Sequence, residues 1–150
     1  MKPIEVLIQL SLLCWNTLFL GWKNGWASKK DIIDYAVSLL AEGKDENNET
    51  VSVIAGGDYL EDEELQKLVS ELVNDVNGDT LDKWRLAHLI CVSEMSGTEQ
   101  EKIEQLQELY AKFDYPEDMS SCSIYAQDEI DPLIAMMQVT NNLRQKFGVN

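Results

Sequence analysis

Apolar residues recur at helical spacing through almost the whole chain, and short turn signals cut that pattern into segments. Residues three and four apart share one face of a helix, whereas a strand would scatter them over both faces. The stripes Ile32, Tyr35, Ala36, Leu39, Leu40 and Ile103, Leu106, Leu109, Tyr110, Phe113 follow this rule, as does Leu65, Leu68, Val69, Leu72, Val73, Val76. Only Thr50 to Ala55, with Val51, Val53 and Ile54, has the β-branched content of a strand, and no partner strand is evident. That stretch is read as a short helix ending at Gly56-Gly57. The expectation is an all-α fold: one compact domain over residues 1–150, bundle-like, with about six helices and short turns.

Local signals set the expected boundaries. A first helix runs from Pro3 to Leu20; its apolar face is broad, which places it centrally in the core. The N-terminal stretch could pass for a signal peptide, but Glu5, Gln9 and Asn16 interrupt it and no small-residue cleavage site follows. It is also shorter than the ~20 apolar residues a membrane span needs. Asn24-Gly25 is a turn dipeptide, with Trp22 and Trp26 on either side. Ser28 and Asp31 form a capping box for a helix to Ala41, stopped by Gly43. Lys44 to Glu49 is a polar connection. Asp58 to Glu64 is an acidic entry to a helix over Glu63 to Val76, which Asn77-Gly78 ends. Asp79 or Thr80 caps a helix reaching Met95, and Thr98 with Glu101 starts the next. Pro116 stops that one at Asp114 to Asp118. Met119 to Glu129 reads as irregular, and Asp131-Pro132 opens a last helix to Phe147, with Gly148 beyond it.

Charge narrows the partners. The chain has 27 acidic and 12 basic residues, a formal net charge of −15. Residues 45–131 hold 23 of the acids against five bases. Such a field repels phosphate backbones and anionic lipid and attracts basic surfaces. Neither nucleic acid nor membrane is therefore an expected partner. An apolar content of 45% argues against disorder. The three cysteines, Cys14, Cys91 and Cys122, are widely spaced and read as reduced thiols of a cytoplasmic protein, packed as small core residues.

Candidate chemistry is sparse. No nucleophile elbow, phosphate loop, zinc-protease motif, dinucleotide fingerprint or EF-hand loop occurs. His88 is the single histidine and lacks companions at metal-ligand spacing, so it reads as a structural imidazole. Trp15, Trp22 and Trp26 read as packing, and Met136-Met137 as core filler. Asp58 to Glu64 reads as a solvated helix start and not a cation site. No catalytic residue, metal ligand or cofactor is expected. Two tyrosines stand apart: Tyr59 lies beside Asp58, Glu61, Asp62 and Glu64, and Tyr115 beside Asp114, Glu117 and Asp118. An aromatic anchor ringed by one sign of charge suits an interface with a basic protein.

Two stretches carry a resemblance. Gly21-Trp22-Lys23-Asn24-Gly25-Trp26, continuing to Ser28 and Asp31-Ile32-Ile33-Asp34-Tyr35-Ala36, is one; Tyr110-Ala111, then Phe113-Asp114-Tyr115-Pro116-Glu117, is the other. With Lys83-Trp84 at a helix head, they resemble a bacterial family known as domain of unknown function 2247, over nearly the whole chain. Small acidic helical bacterial proteins of this kind also look like immunity proteins that block a toxin's catalytic domain. That likeness implies a non-enzymatic role: binding a cognate toxin, such as a nuclease with a basic cleft, through an acidic surface. The alternatives are an enzyme using carboxylates with a divalent metal, and an acidic regulatory or scaffold subunit.

Overall fold

The computed structural model describes residues 1–44, 48–73 and 79–149; these hold eight α-helices and two 3₁₀ turns, with no strand among the described residues. The helices are α1 (Pro3–Gln9), α2 (Trp15–Lys23), α3 (Lys29–Ala41), α4 (Glu49–Ala55), α5 (Asp62–Leu72), α6 (Asp79–Glu94), α7 (Glu99–Lys112) and α8 (Pro132–Phe147). The 3₁₀ turns are Gly57–Tyr59 and Glu117–Cys122. The all-α expectation holds, with eight helices in place of about six.

The expected first helix is two helices. Leu10 closes α1, and Ser11 adopts a left-handed φ of 58°. The Leu12 amide then donates to the Leu7 carbonyl and the Ser11 amide to the Ile8 carbonyl. This is a Schellman stop built on serine, where glycine is usual. No glycine or proline marks it in the sequence. The same pair of bonds closes α2 at Gly25, α3 at Gly43, α7 at Asp114 and α8 at Gly148.

Contacts divide the chain into two compact units, Leu13–Leu81 and Met1–Leu12 with Asp82–Asn150. In the first, α3 packs on α2 and α4, and α5 packs on α4 and α2, so each helix meets two others. Leu18, Ile32, Ala36, Val51, Ile54, Leu65 and Val69 are fully buried there. Trp15 meets Tyr35 edge-on, with ring centroids 4.9 Å apart. Ser28 caps α3 in a reciprocal box with Asp31, and Asn48 caps α4. Thr50 to Ala55 is helical, as expected. α5 ends at Leu72 with Val73 extended, short of Val76. Val76 and the Asn77-Gly78 stop lie outside the described residues.

In the second unit α8 packs on α7 and on the 3₁₀ turn Glu117–Cys122, which also meets α7. Residues 84 to 90 of α6 are all buried. A helix covered on every side is a core helix, which is what residues 84 to 90 make of this part of α6. Asp82, Lys83 and Arg85 conceal this in the sequence. Asp131 caps α8 by accepting from the Leu133 amide at 2.8 Å, with Pro132 at the first helical position. Among the described residues no helix is long and apolar enough to cross a membrane.

Candidate functional site

The distinctive Phe113-to-Asp118 segment is a tight corner whose parts divide into buried and exposed groups. α7 ends on Phe113, which is 6% exposed and meets the His88 ring edge-on at 5.3 Å. His88 Nδ1 lies 2.8 Å from the Trp84 carbonyl oxygen. A carbonyl only accepts, so Nδ1 carries the proton. Burial, with the Lys112 charge in the same direction, lowers the His88 pKa to about 4 despite that hydrogen bond. The imidazole is a neutral structural group, as the sequence suggested.

Beyond Phe113 the chain reverses through two consecutive left-handed residues, Asp114 (φ 61°) and Tyr115 (φ 54°). Each such non-glycine residue carries a conformational cost of about 1–3 kcal/mol, and the neighbouring structure must impose it. The Tyr115 ring stands edge-on to Tyr110, at 5.1 Å and 87°. Tyr115 is nevertheless 61% exposed, and Asp114 and Glu117 are exposed beside it. Pro116 then opens the 3₁₀ turn, whose Met119 and Cys122 are buried.

Asp118 has a different part. It accepts from Nη1 of Arg85, whose side chain is 8% exposed; Nη2 of the same guanidinium reaches Asp82 at 3.1 Å. Lys146 closes the network on the other oxygen of Asp82 at 2.7 Å. Burial pushes the Asp82 carboxyl up, but the bonds from Lys146 and Arg85 outweigh it and hold it below the usual range. Asp118 therefore ties the corner to α6 while remaining half-exposed itself, beside the exposed Asp114, Tyr115 and Glu117.

The second acidic segment is built similarly, in the other unit. Leu60 is buried, and the Lys29 ammonium donates to the backbone carbonyls of Asp58 and Leu60. This pins the turn Gly57–Tyr59 to the start of α3. Tyr59 is 77% exposed, and Asp58, Glu61, Asp62 and Glu64 are exposed around it. Asp62, Glu63 and Glu64 occupy the first turn of α5, where negative charge complements the helix dipole.

Residues 4–146 match the family model of domain of unknown function 2247, described as an uncharacterised protein conserved in bacteria. The chain belongs to that family. No curated protein and no solved structure gives a match.

Other groups weighed in the sequence fall into place. The cysteines are free: Cys14 and Cys91 are half-buried and Cys122 is buried. Burial, with Asp118 adding to it, pushes the Cys122 thiol up to about 11, the opposite of an activated thiol. Among the described residues no three His, Cys, Asp or Glu side chains come together to hold a metal ion. Met136 is core, but Met137 is 59% exposed, which corrects its reading as filler. α8 buries its Met136, Val139 and Leu143 face, and Met137 falls on the other side.

Sequence reasoning passed over Tyr125, at 85% the most exposed large apolar residue among the described residues, beside Ile124 at 53%. Gln107 holds their loop, donating to the Cys122 carbonyl and accepting from the Ile124 amide. The available signal was weaker than at Tyr59 and Tyr115: an Ile-Tyr pair in an irregular stretch whose nearest acids, Asp128 and Glu129, come three and four residues later.

Proposed function

We propose that this protein is a non-enzymatic binding protein, a cytoplasmic immunity protein that neutralises a cognate bacterial toxin domain. The observation that carries this reading is the Tyr115 corner. A large ring is held in solvent by a left-handed Asp114-Tyr115 pair, with Asp114 and Glu117 beside it and Asp118 anchored to buried Arg85. A rigid aromatic flanked by carboxylates enters a basic cleft at little ordering cost. Tyr59 with Asp58, Glu61, Asp62 and Glu64 is a second contact of the same chemistry. Nuclease toxins present such clefts, because their substrate is a polyanion. An excess of 15 negative charges would speed the encounter as well.

The test is co-expression with the toxin-like domain encoded by a neighbouring gene. Wild-type protein is expected to restore growth and to bind that domain in pure form. Tyr115→Ala and Glu117→Lys, kept folded, are expected to weaken binding at least tenfold. Failure of the wild-type protein to bind or inhibit that domain removes the proposal.

A further inference from the structure

α8 departs from the chemistry of the rest of the chain. From Pro132 to Asn150 there is no Asp or Glu, in a chain that has 27 of them. Its solvent side carries Ile134 (55% exposed) and Met137 (59% exposed), too apolar for an ordinary solvated helix face. Leu133, Met137, Asn141 and Arg144 follow one another at spacings of four, four and three, so they share one face. That face passes from apolar to polar to cationic over eleven residues, about 16 Å of helix.

A cavity of about 400 Å³ opens on this face, walled by α8 together with Ser93 of α6 and Lys102 of α7. Among the described residues no carboxylate lines it. Its apolar wall is Leu133, Met136 and Met137, and the two methionines can adjust to an occupant. Its hydroxyls are already committed: Thr140 donates to the Met136 carbonyl and Ser93 to the Ile90 carbonyl. The cations are not. Lys102 spends one proton on the Ser93 carbonyl at 3.2 Å and keeps two. Arg144 has no ion-pair partner among the described residues, whereas Arg85 holds two carboxylates. Acids are abundant in this protein, yet among the described residues none forms an ion pair with Lys102 or Arg144.

We propose that this cavity is a binding site for a small amphipathic carboxylate: an anionic head on Arg144 and Lys102, and an aliphatic body against Leu133, Met136 and Met137. The cavity volume falls in the range of small-molecule sites, roughly 300–1,000 Å³. The guanidinium fork matches a carboxylate in geometry and charge. The site is independent of the acidic tyrosine segments, and either assignment stands if the other falls.

The probe is decanoate, titrated by calorimetry into the full chain, with decanol and decyltrimethylammonium as matched ligands. Methyl NMR of methionine-labelled protein reports location, since the five methionines are Met1, Met95, Met119, Met136 and Met137. Decanoate is expected to bind and to shift the Met136 and Met137 methyls most. Arg144→Met and Lys102→Met are each expected to weaken it at least tenfold, with helical circular dichroism unchanged. Decanol and the cation are expected to bind at least tenfold more weakly. Absent decanoate binding, equal binding of the decyl cation, unaltered affinity in both variants, or shifts centred on Met95 or Met119 would each overturn the proposal.

Discussion

Replacing Asp114 with glycine tests whether the acidic corner is held in a conformation that its own residues oppose. Asp114 closes α7 in a Schellman stop at φ 61°. Left-handed backbone costs an L-residue about 1–2 kcal/mol, a cost glycine escapes. Glycine returns roughly 0.5–1 kcal/mol of that through its greater unfolded entropy. The Asp114 carboxylate also sits just past a helix C-terminus, where negative charge is unfavourable by about 0.3–1 kcal/mol. The sum predicts that Asp114→Gly stabilises the fold by about 1 kcal/mol, a melting rise of roughly 2–4 °C for a chain of this length. Ser11→Gly has the same geometry without the charge and is expected to gain about half as much. Gly25→Ala supplies the opposite sign. Its φ is 76° and an added Cβ would meet nothing within 4 Å, so its cost is purely conformational, about 1 kcal/mol. Urea unfolding followed by circular dichroism gives all three midpoints, compared at constant slope. If Asp114→Gly left the midpoint unchanged or lowered it while Gly25→Ala behaved as stated, the strain ascribed to this corner would be refuted.

The buried guanidinium makes a ranking. Asp118→Ala leaves Arg85 with Asp82 alone and is expected to cost about 1–2 kcal/mol; Arg85→Met removes the buried charge itself and is expected to cost less. Equilibrium unfolding that puts Arg85→Met as the costlier change contradicts this account of the network. His88 predicts a pH dependence. Its folded pKa of about 4 lies below its ordinary 6.5, so the unfolded chain takes the proton first as pH falls. The stability it contributes is complete above pH 6.5 and declines by up to roughly 3 kcal/mol between pH 6.5 and 4. Subtracting the profile of His88→Gln isolates that decline from the titration of the carboxylates, and parallel profiles would show that burial does not depress this imidazole.

Chain punctuation written in glycine, proline and capping residues was legible. Ser28 with Asp31, Asp131-Pro132, Gly43 and Gly148 all mark helix ends where the structure has them. Thr98 caps α7 by accepting from the Glu101 amide. The helical reading of Thr50 to Ala55 followed from the missing partner strand, not from local propensity, which favoured the other answer. The break after α1 was illegible, because serine carries the left-handed turn that composition assigns to glycine. The burial of α6 was hidden by Arg85, a charge that becomes a buried tie only once Asp118 and Asp82 are folded against it. For the site, the acidic neighbours of Tyr59 and Tyr115 anticipated two exposed rings. Sequence proximity could not show that Asp118, though half-exposed, is bonded to Arg85 of α6, whereas Asp114 and Glu117 are exposed beside it. It also gave no hint that Arg144 and Lys102, on different helices, line one cavity.

We propose that the crowded carboxylates around the exposed tyrosines exist to meet a cationic protein. Stopped-flow association with the toxin-like domain of the neighbouring gene, in 50 mM and 500 mM sodium chloride, tests it most directly. The association rate is expected to fall by tenfold or more at the higher salt, with a smaller change in dissociation. An association rate that does not change with salt would contradict it.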